Sequence, residues 1–253
     1  MNPHSVFHMS EIIKTRALVL RKIDFGDTSR IAQFYTEDFG KISAIIKGAR
    51  TQRSKTGMLI DTMNYLQIIF YSKETREVQI VSDVDLIKHY SRIREDFDKF
   101  KHASAIVELL SSLTLENEGH KKLFYGTVRI LELLDESPND PKYLFAKYFL
   151  FFLREMGYYF QVENCNVCGN KINTGQSVAY NYDTGIMCDV CSRNRMTNFE
   201  LGKELFDLLF CLNSRNMDAK YKQSDLDLVI KILEKFLIYH IPEFKGIKSL
   251  QLI

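Results

Sequence analysis

The sequence predicts an α+β protein with more than one domain, in which a small N-terminal β-barrel precedes α-helices and a four-cysteine module is inserted among the helices. Three observations support this prediction. Residues 12–90 form short alternating stretches of apolar and polar side chains separated by turn residues, the pattern of β-strands. From residue 91 onward, apolar residues recur at spacings of three and four, the pattern of helices. Two Cys-x2-Cys pairs interrupt that helical pattern.

Five strands are predicted in the barrel domain, which we assign to residues 12–90. They cover residues 12–23, 28–36, 41–50, 63–72 and 76–87, with turns at 25–27 and 37–40 and a polar loop at 51–57. Because closing a small sheet removes its exposed edges, the OB-fold, a five-stranded barrel, is the predicted architecture. Residues 1–11 are set apart as a vector-derived or flexible N-terminus, since a second methionine stands at Met9, shortly before the ordered pattern.

The helical domain is predicted in two parts, residues 91–160 and 197–253, on either side of a metal-binding module at residues 161–196. Helices are expected at 95–115, 123–134, 143–156, 198–213 and 223–241, and one short strand at 177–182. Asn198 and Ser224 are the expected N-caps of the last two helices, and Pro242 ends the final one. The aromatic residues between 145 and 152 are expected to be buried.

The two cysteine pairs are the most specific signal in the chain. Their four members are Cys165, Cys168, Cys188 and Cys191, with 19 residues between the pairs. Two residues between cysteines allow one turn to present both sulfurs to a single ion, and two such turns complete a tetrahedral shell. We predict one structural Zn²⁺; a redox dithiol and ordinary reduced cysteines are the alternatives. Because no export signal is recognisable, these cysteines are expected to stay reduced in the cytoplasm.

The charge is nearly balanced overall but unevenly distributed. The formal net charge is +2, yet residues 41–56 contain five basic residues and no acidic one. Such a loop at a barrel mouth suits phosphate binding, and Phe34, Tyr35 and Phe39 are candidate stacking faces. A solvated basic surface with buried aromatics is the equally weighted alternative. With 45% hydrophobic and 26% charged residues and no apolar run of membrane-spanning length, the composition predicts a folded protein with no membrane partner.

Catalytic motifs are absent from the sequence. Neither a P-loop nor a dinucleotide-binding glycine motif occurs, and the six histidines stand in no metal-ligand pairing and beside no nucleophile motif. The sequence therefore predicts a protein that is not an enzyme.

Segment 14–55 contains KTRALVL, the FGD turn, TEDFGKIS and KGAR followed by a basic loop. In these elements it resembles the N-terminal part of the RecO family of bacterial DNA repair and recombination mediators. The stretch GYYFQVENCNVCG, with the later CDVC, resembles the zinc-binding form of that family's central region. The likeness covers residues 12 to about 237 in the order barrel, helices, cysteine module, helices.

This resemblance implies a non-enzymatic protein that binds single- and double-stranded DNA and anneals complementary strands in the bacterial cytoplasm, at the nucleoid. It also implies three protein partners: RecR, the acidic C-terminal tail of single-stranded-DNA-binding protein (SSB), and indirectly RecA, which is loaded onto SSB-coated gaps. The DNA-binding residues it implies are Arg16, Arg21, Lys22, Arg30, Lys41, Lys47, Arg50, Arg53 and Lys55. A zinc-ribbon module for protein interaction or transcription and a thiol redox protein are the rival functions.

Overall fold

The computed structural model describes residues 10–214 and 220–251, which fall into two compact units. The first unit is the chain up to Ser137 together with the segment from Ser249, and the second is Pro138–Lys248. Of the predicted N-terminal segment 1–11, residues 1–9 lie outside the described residues, and Glu11 already belongs to the first strand. In the described part of the chain, no helix combines the length and the apolar character needed to cross a bilayer.

Five strands form a closed barrel in the order β1-β2-β3-β5-β4. Neighbouring strands are antiparallel except β3 and β5, which are parallel. This arrangement confirms the predicted OB-type barrel. The strands are β1 Glu11–Phe25, β2 Ser29–Thr36, β3 Gly40–Ile46, β4 Tyr65–Ser72 and β5 Val78–Lys88.

The barrel is filled by alternate side chains of every strand, and Phe34 and Phe70 are the largest of them. In β1, however, four consecutive residues from Ala17 to Leu20 are buried. The outer face of this stretch is covered as well: Leu18 pairs in register with Tyr35 and Tyr65, and Phe124 from a later helix packs against both of those rings. The predicted alternation therefore fails where a helix packs on the barrel.

The predicted polar loop 51–57 contains the start of a short helix, α1 Lys55–Leu59. Ser54 caps this helix through its hydroxyl, which accepts a hydrogen bond from the Gly57 backbone N–H. Helix α1 packs closely against the turn after β3, because a Cβ atom on Gly57 would lie only 1.8 Å from the Ala49 carbonyl oxygen. Only glycine allows this approach.

Among the described residues of the first unit, three α-helices follow the barrel: α2 Ser91–Glu95, α3 Phe97–Leu113 and α4 Lys121–Glu136. The helix predicted at 95–115 is thus α3, and the short helix α2 precedes it. Asp96 separates them, because its extended backbone ends α2 and its carboxylate accepts the Lys99 N–H as the N-cap of α3.

The second unit combines helices with a three-stranded sheet in the order β7-β6-β8. Its elements are α5 Pro141–Glu155, β6 Val178–Asn181, β7 Gly185–Cys188, α6 Asp189–Ser192, β8 Phe199–Leu201, α7 Lys203–Asn213 and α8 Gln223–His240. The aromatic residues of α5 are buried as predicted, apart from the half-buried Phe151.

Two predicted helix caps in this unit are wrong. Asn198 is not the cap of α7, because residues 199–201 pair with β6 as a strand and Gly202 is the N-cap. Ser224 is inside α8, whose N-cap is Lys222; the Asp225 carboxylate accepts a hydrogen bond from the Lys222 backbone N–H. In both cases the position at which the helix begins depends on the path of the preceding chain, including its pairing with β6, and not on the local residue type.

Candidate metal centre and nucleic-acid interface

The four paired cysteines come together in the second unit. Their sulfur atoms all lie within 4.8 Å of one another, and the Sγ atoms of Cys168 and Cys188 are 3.9 Å apart. Four thiolates at about 2.3 Å from a tetrahedral zinc ion stand about 3.8 Å from one another, so the cluster has the dimensions of such a shell. The structure thus brings together the four cysteines that the spacing singled out, in an arrangement that could hold one metal ion.

Local backbone geometry places each cysteine pair. After Cys165 the chain turns back, so that the Gly169 N–H donates to the Cys165 carbonyl oxygen at 2.8 Å, and Gly169 has a φ of +72° that favours glycine. The second pair lies where strand β7 meets helix α6, and the Cys188 N–H donates to the Cys165 sulfur at 3.4 Å. The two turns are thus joined by a backbone N–H directed at a sulfur, as in thiolate metal sites.

Ionisation of the cysteines depends on their crowding. Burial by itself would raise the pKa of Cys165, but backbone N–H groups of Cys168 and Cys188 outweigh it and lower this pKa to about 6. Hydrogen bonding to the Cys188 thiol and to the other two sulfurs raises the pKa of Cys191 to about 12. In the absence of a cation, one thiol thus ionises easily and another resists ionisation. A divalent cation would stabilise all four thiolates at once. The donor set therefore fits a soft metal ion such as Zn²⁺.

The nine basic residues implied by the resemblance are divided between two ends of the barrel. We call the end formed by the β1–β2 turn and residues 47–55 the loop end, and the end formed by the β2–β3 turn and the neighbouring helices the helix-facing end. Arg16 and Lys41 lie at the helix-facing end, whereas the other seven lie at or toward the loop end. The single patch suggested by the sequence is therefore two surfaces.

Two arginines at the loop end converge on one carboxylate. Arg30 Nε lies 3.1 Å from one Asp24 oxygen and Arg50 Nε lies 3.3 Å from the other. Backbone carbonyls orient both guanidinium groups, since Arg30 Nη1 donates to the Gly57 oxygen at 3.2 Å and Arg50 Nη1 donates to the Gly26 oxygen at 2.9 Å. The arginines are thus preorganised toward an anion.

Four other cations of this group are exposed and form no ion pair or side-chain hydrogen bond with any residue that the structure describes. They are Arg21, Lys47, Arg53 and Lys55. Beside them, Phe25 is 52% exposed at the end of β1. Unpaired cations next to an exposed aromatic ring are the side-chain types that contact phosphates and bases of a single strand.

Lys22 contributes to a separate ion-pair network. Its ammonium lies 2.6 Å from Asp61 Oδ1, and Arg94 of α2 lies 3.0 Å from the other oxygen of that carboxylate. Burial would raise the pKa of Asp61, but the two cations lower it below the usual range. This network joins the barrel to α2, so Lys22 is engaged within the fold.

The two cations at the helix-facing end also have intramolecular partners. Lys41 is half-buried, donates from Nζ to the Ser111 carbonyl oxygen at 2.8 Å, and has a pKa lowered by burial. Arg16 lies beside Tyr125 and Glu37, which hydrogen-bond to each other. Lys41 thus links the barrel to α3, and Arg16 links it to α4.

The sequence analysis did not identify three residues near the predicted basic residues. The first is Asp24. The FGD turn implies a hairpin that places Asp24 opposite Arg30, and the strand register has this pairing. Arg94 and the exposed Phe25 are the others, and no sequence pattern marks them. Conversely, the predicted stacking residues Phe34 and Tyr35 are almost completely buried and Phe39 packs against the core, so none of the three provides an open face.

Two family models match the chain and together cover almost all of it. The model described as the N-terminal part of recombination protein O matches residues 9–90, and the model described as its C-terminal part matches residues 94–251. Their boundary falls between strand β5 and helix α3.

Curated relatives named DNA repair protein RecO are similar to this chain. The protein of Prosthecochloris aestuarii is 30% identical over 161 residues, which are 64% of this chain and 61% of the relative. That of Salinibacter ruber is 36% identical over 124 residues, 49% of this chain and 48% of the relative. That of Clostridium novyi is 26% identical over 182 residues, 72% of this chain and 70% of the relative. The chain thus spans less than two thirds of the length of the first two relatives.

Proposed function

The chain belongs to the recombination protein O (RecO) family, and from that premise we propose that it binds DNA and anneals complementary strands in bacterial recombinational repair. The observation that carries this proposal is the group of unpaired, exposed cations at the loop end of the barrel. Arg53 and Lys55 belong to it, and Arg30 and Arg50 stand beside them. The curated relatives carry the name of a DNA repair protein.

In this proposal, the loop end binds the phosphate backbone. Phosphate contacts fix a strand in place without reading its sequence, which suits a protein that acts at any gap. Phe25 supplies an exposed ring on which one base can stack. Because the cations screen the repulsion between two strands while the base edges stay accessible, complementary strands can pair on this surface. No covalent step is required, so the proposed function is not enzymatic.

The proposed role of the four-cysteine centre is structural. When bound, a zinc ion would join the turn at Cys165 to the hairpin that ends at Cys188. Four thiolates leave no open coordination position for a substrate. This closed shell favours the structural role over the rival thiol redox function.

The proposed partners follow from the family. They are RecR, the acidic C-terminal tail of SSB, and RecA, which would be loaded indirectly onto SSB-coated gaps. Work on the bacterial chromosome would take place in the cytoplasm, at the nucleoid. Binding of an acidic tail requires a cation beside apolar side chains, which is a different surface chemistry from the phosphate-binding loop end.

The direct test reverses charge at the loop end. We expect Arg53→Glu with Lys55→Glu to lower the affinity for a single-stranded oligonucleotide by more than about tenfold at low salt, and to slow annealing in parallel, because each lost phosphate contact reduces counterion release. The matched control is Lys231→Glu with Lys235→Glu on α8, where both lysines are also exposed and the charge change is identical. Equal losses in the two double variants would contradict the proposal.

Salt dependence separates this proposal from the rival in which the barrel docks a protein. Single-strand affinity should fall with a log–log slope of about −0.7 for each neutralised phosphate. A wild-type protein that fails to bind any oligonucleotide at low salt would exclude the DNA-binding function.

A further inference from the structure

The arginine pair at the loop end already has an anion, and that anion is part of the chain. Asp24 lies opposite Arg30 across the β1–β2 hairpin and pairs with Arg30 and Arg50 through its two separate oxygens. We propose that Asp24 occupies the position of a strand phosphate between these arginines, and that DNA binds here by exchanging its phosphate for the Asp24 carboxylate. The inference rests on the proposed DNA-binding function and adds a regulatory residue to it.

The chemistry of the pair permits such an exchange. A guanidinium group hydrogen-bonds to a carboxylate and to a phosphate with the same planar fork, so one anion can replace the other on the same donors. The positions of the two arginines do not depend on Asp24 alone, because Arg30 is also held by the Gly57 carbonyl oxygen and Arg50 by the Gly26 carbonyl oxygen. Both would therefore keep their orientation when the carboxylate leaves.

Exposure of the three side chains indicates which one moves. The Asp24 side chain is 54% exposed, whereas the Arg30 side chain is only 19% exposed and the Arg50 side chain 37%. A largely solvated carboxylate can rotate into water at little cost. A partly buried guanidinium needs a counter-anion, which Asp24 provides before a strand arrives.

Position on the surface links this exchange to the rest of the loop end. The unpaired Arg53 and Lys55 follow Arg50 in the same segment, and Lys47 precedes it. A strand that follows these cations would meet a local negative charge at Asp24. Asp24 thus weakens binding at this point and limits how tightly the strand is held, which suits a protein that must release DNA after annealing.

The test removes this carboxylate and compares the result with a neighbouring one. Asp24→Asn is paired with Asp27→Asn, since Asp27 lies in the same β1–β2 turn, is exposed and has no ion pair with any residue of known placement. Both variants change the net charge by the same amount. We expect Asp24→Asn to raise the affinity for a single-stranded oligonucleotide by about three- to tenfold over wild type, the fold-change that two exposed ion pairs correspond to.

The Asp27→Asn control should change the affinity by less than about twofold. The salt slope of Asp24→Asn should stay close to that of wild type, because the same phosphate occupies the arginine pair in both proteins and only the competing carboxylate is removed. Adding Arg50→Gln to Asp24→Asn should remove most of the gain.

Each outcome distinguishes this inference from the function on which it rests. If wild type binds the strand but Asp24→Asn and Asp27→Asn behave alike, the exchange is refuted and DNA binding stands. If neither wild type nor either variant binds, both proposals fail. Should Asp24→Asn melt at a lower temperature than wild type, Asp24→Ser provides a second neutral side chain, for which the same order of affinities is expected.

Discussion

The two ends of the barrel carry similar side chains but differ in what those side chains contact. At the helix-facing end, Lys41 donates to a helix carbonyl and Arg16 lies beside Glu37 and Tyr125. At the loop end, Arg53 and Lys55 have no such contacts among the described residues. The same types of side chain are thus engaged within the fold at one end of the barrel and exposed to solvent at the other.

This difference has an electrostatic cause. Helix α3 ends and helix α4 begins beside the β2–β3 turn. The Ser111 carbonyl oxygen and Glu116 therefore lie near Lys41, while Glu37 of the turn itself lies near Arg16. Among the described residues, the loop end contains the one-turn helix α1 in place of a long helix. There Asp24 is the carboxylate that pairs with Arg30 and Arg50.

The largest expected effect comes from removing the metal, which tests whether DNA binding belongs to the barrel alone. We expect about one zinc per chain by elemental analysis. Chelation, or Cys168→Ser with Cys191→Ser, should unfold the cysteine module, because metal binding to such sites provides about 10 kcal/mol or more of folding free energy. Calorimetry should show the loss of one transition, while the affinity for a single strand changes by less than about twofold.

The control for this experiment is Cys211→Ser, since Cys211 is a half-buried helix residue outside the metal cluster. It should keep both the zinc and the transition. A large loss of DNA affinity on chelation would place the DNA interface in the second unit. It would contradict the assignment of DNA binding to the loop end of the barrel.

A smaller effect is expected from a matched pair of substitutions, one at each end. Arg53→Met should lower single-strand affinity about two- to fivefold and reduce the salt slope by about 0.7, because one phosphate contact is lost. Lys41→Met should leave both quantities unchanged, since its ammonium is bound to the Ser111 carbonyl.

The free energy of unfolding provides a second comparison of the same two variants. Arg53→Met removes no hydrogen bond or ion pair with a described residue, so urea unfolding should be unchanged. Lys41→Met should alter the free energy of unfolding by no more than about 1 kcal/mol, because it loses a hydrogen bond and also the cost of burying a charge. Equal effects of the two variants on DNA affinity would abolish the distinction between the ends.

The smallest expected effect is a pH dependence of stability at the helix-facing end. A hydrogen bond from Lys121 holds the pKa of Asp38 below its usual range, with a second hydrogen bond from Thr15. Because the folded pKa lies below the unfolded one, the stabilisation is complete above about pH 4 and is lost as the pH falls through the folded pKa.

Urea midpoints at pH 7 and pH 3 measure this contribution. Asp38→Asn should lower the midpoint slightly at pH 7 and by less at pH 3, because the stabilisation begins to be lost once the pH falls below the unfolded pKa. A variant that loses the same stability at both values would show that packing, rather than charge, explains the role of Asp38.

Local patterns proved reliable where the structure depends on neighbours in the chain. The Cys-x2-Cys pairs predicted the four cysteines that the structure brings together, since a two-residue spacing lets one turn present both sulfurs of a pair. The strands of the barrel were also predictable from alternation and turns. The caps at Asn198 and Ser224 were not, because tertiary pairing decides where those helices begin.

The sequence by itself determined the strands of the barrel, the helical regions and the two cysteine pairs, because each of these follows from side-chain spacing along a short segment. Only the tertiary structure decided which basic residues are available to a ligand. Strand register brings Asp24 opposite Arg30, and packing of α3 engages Lys41, although these contacts join residues that are separated along the chain. Whether a charged side chain is paired depends on its neighbours in space, and the pattern along the sequence does not show those neighbours.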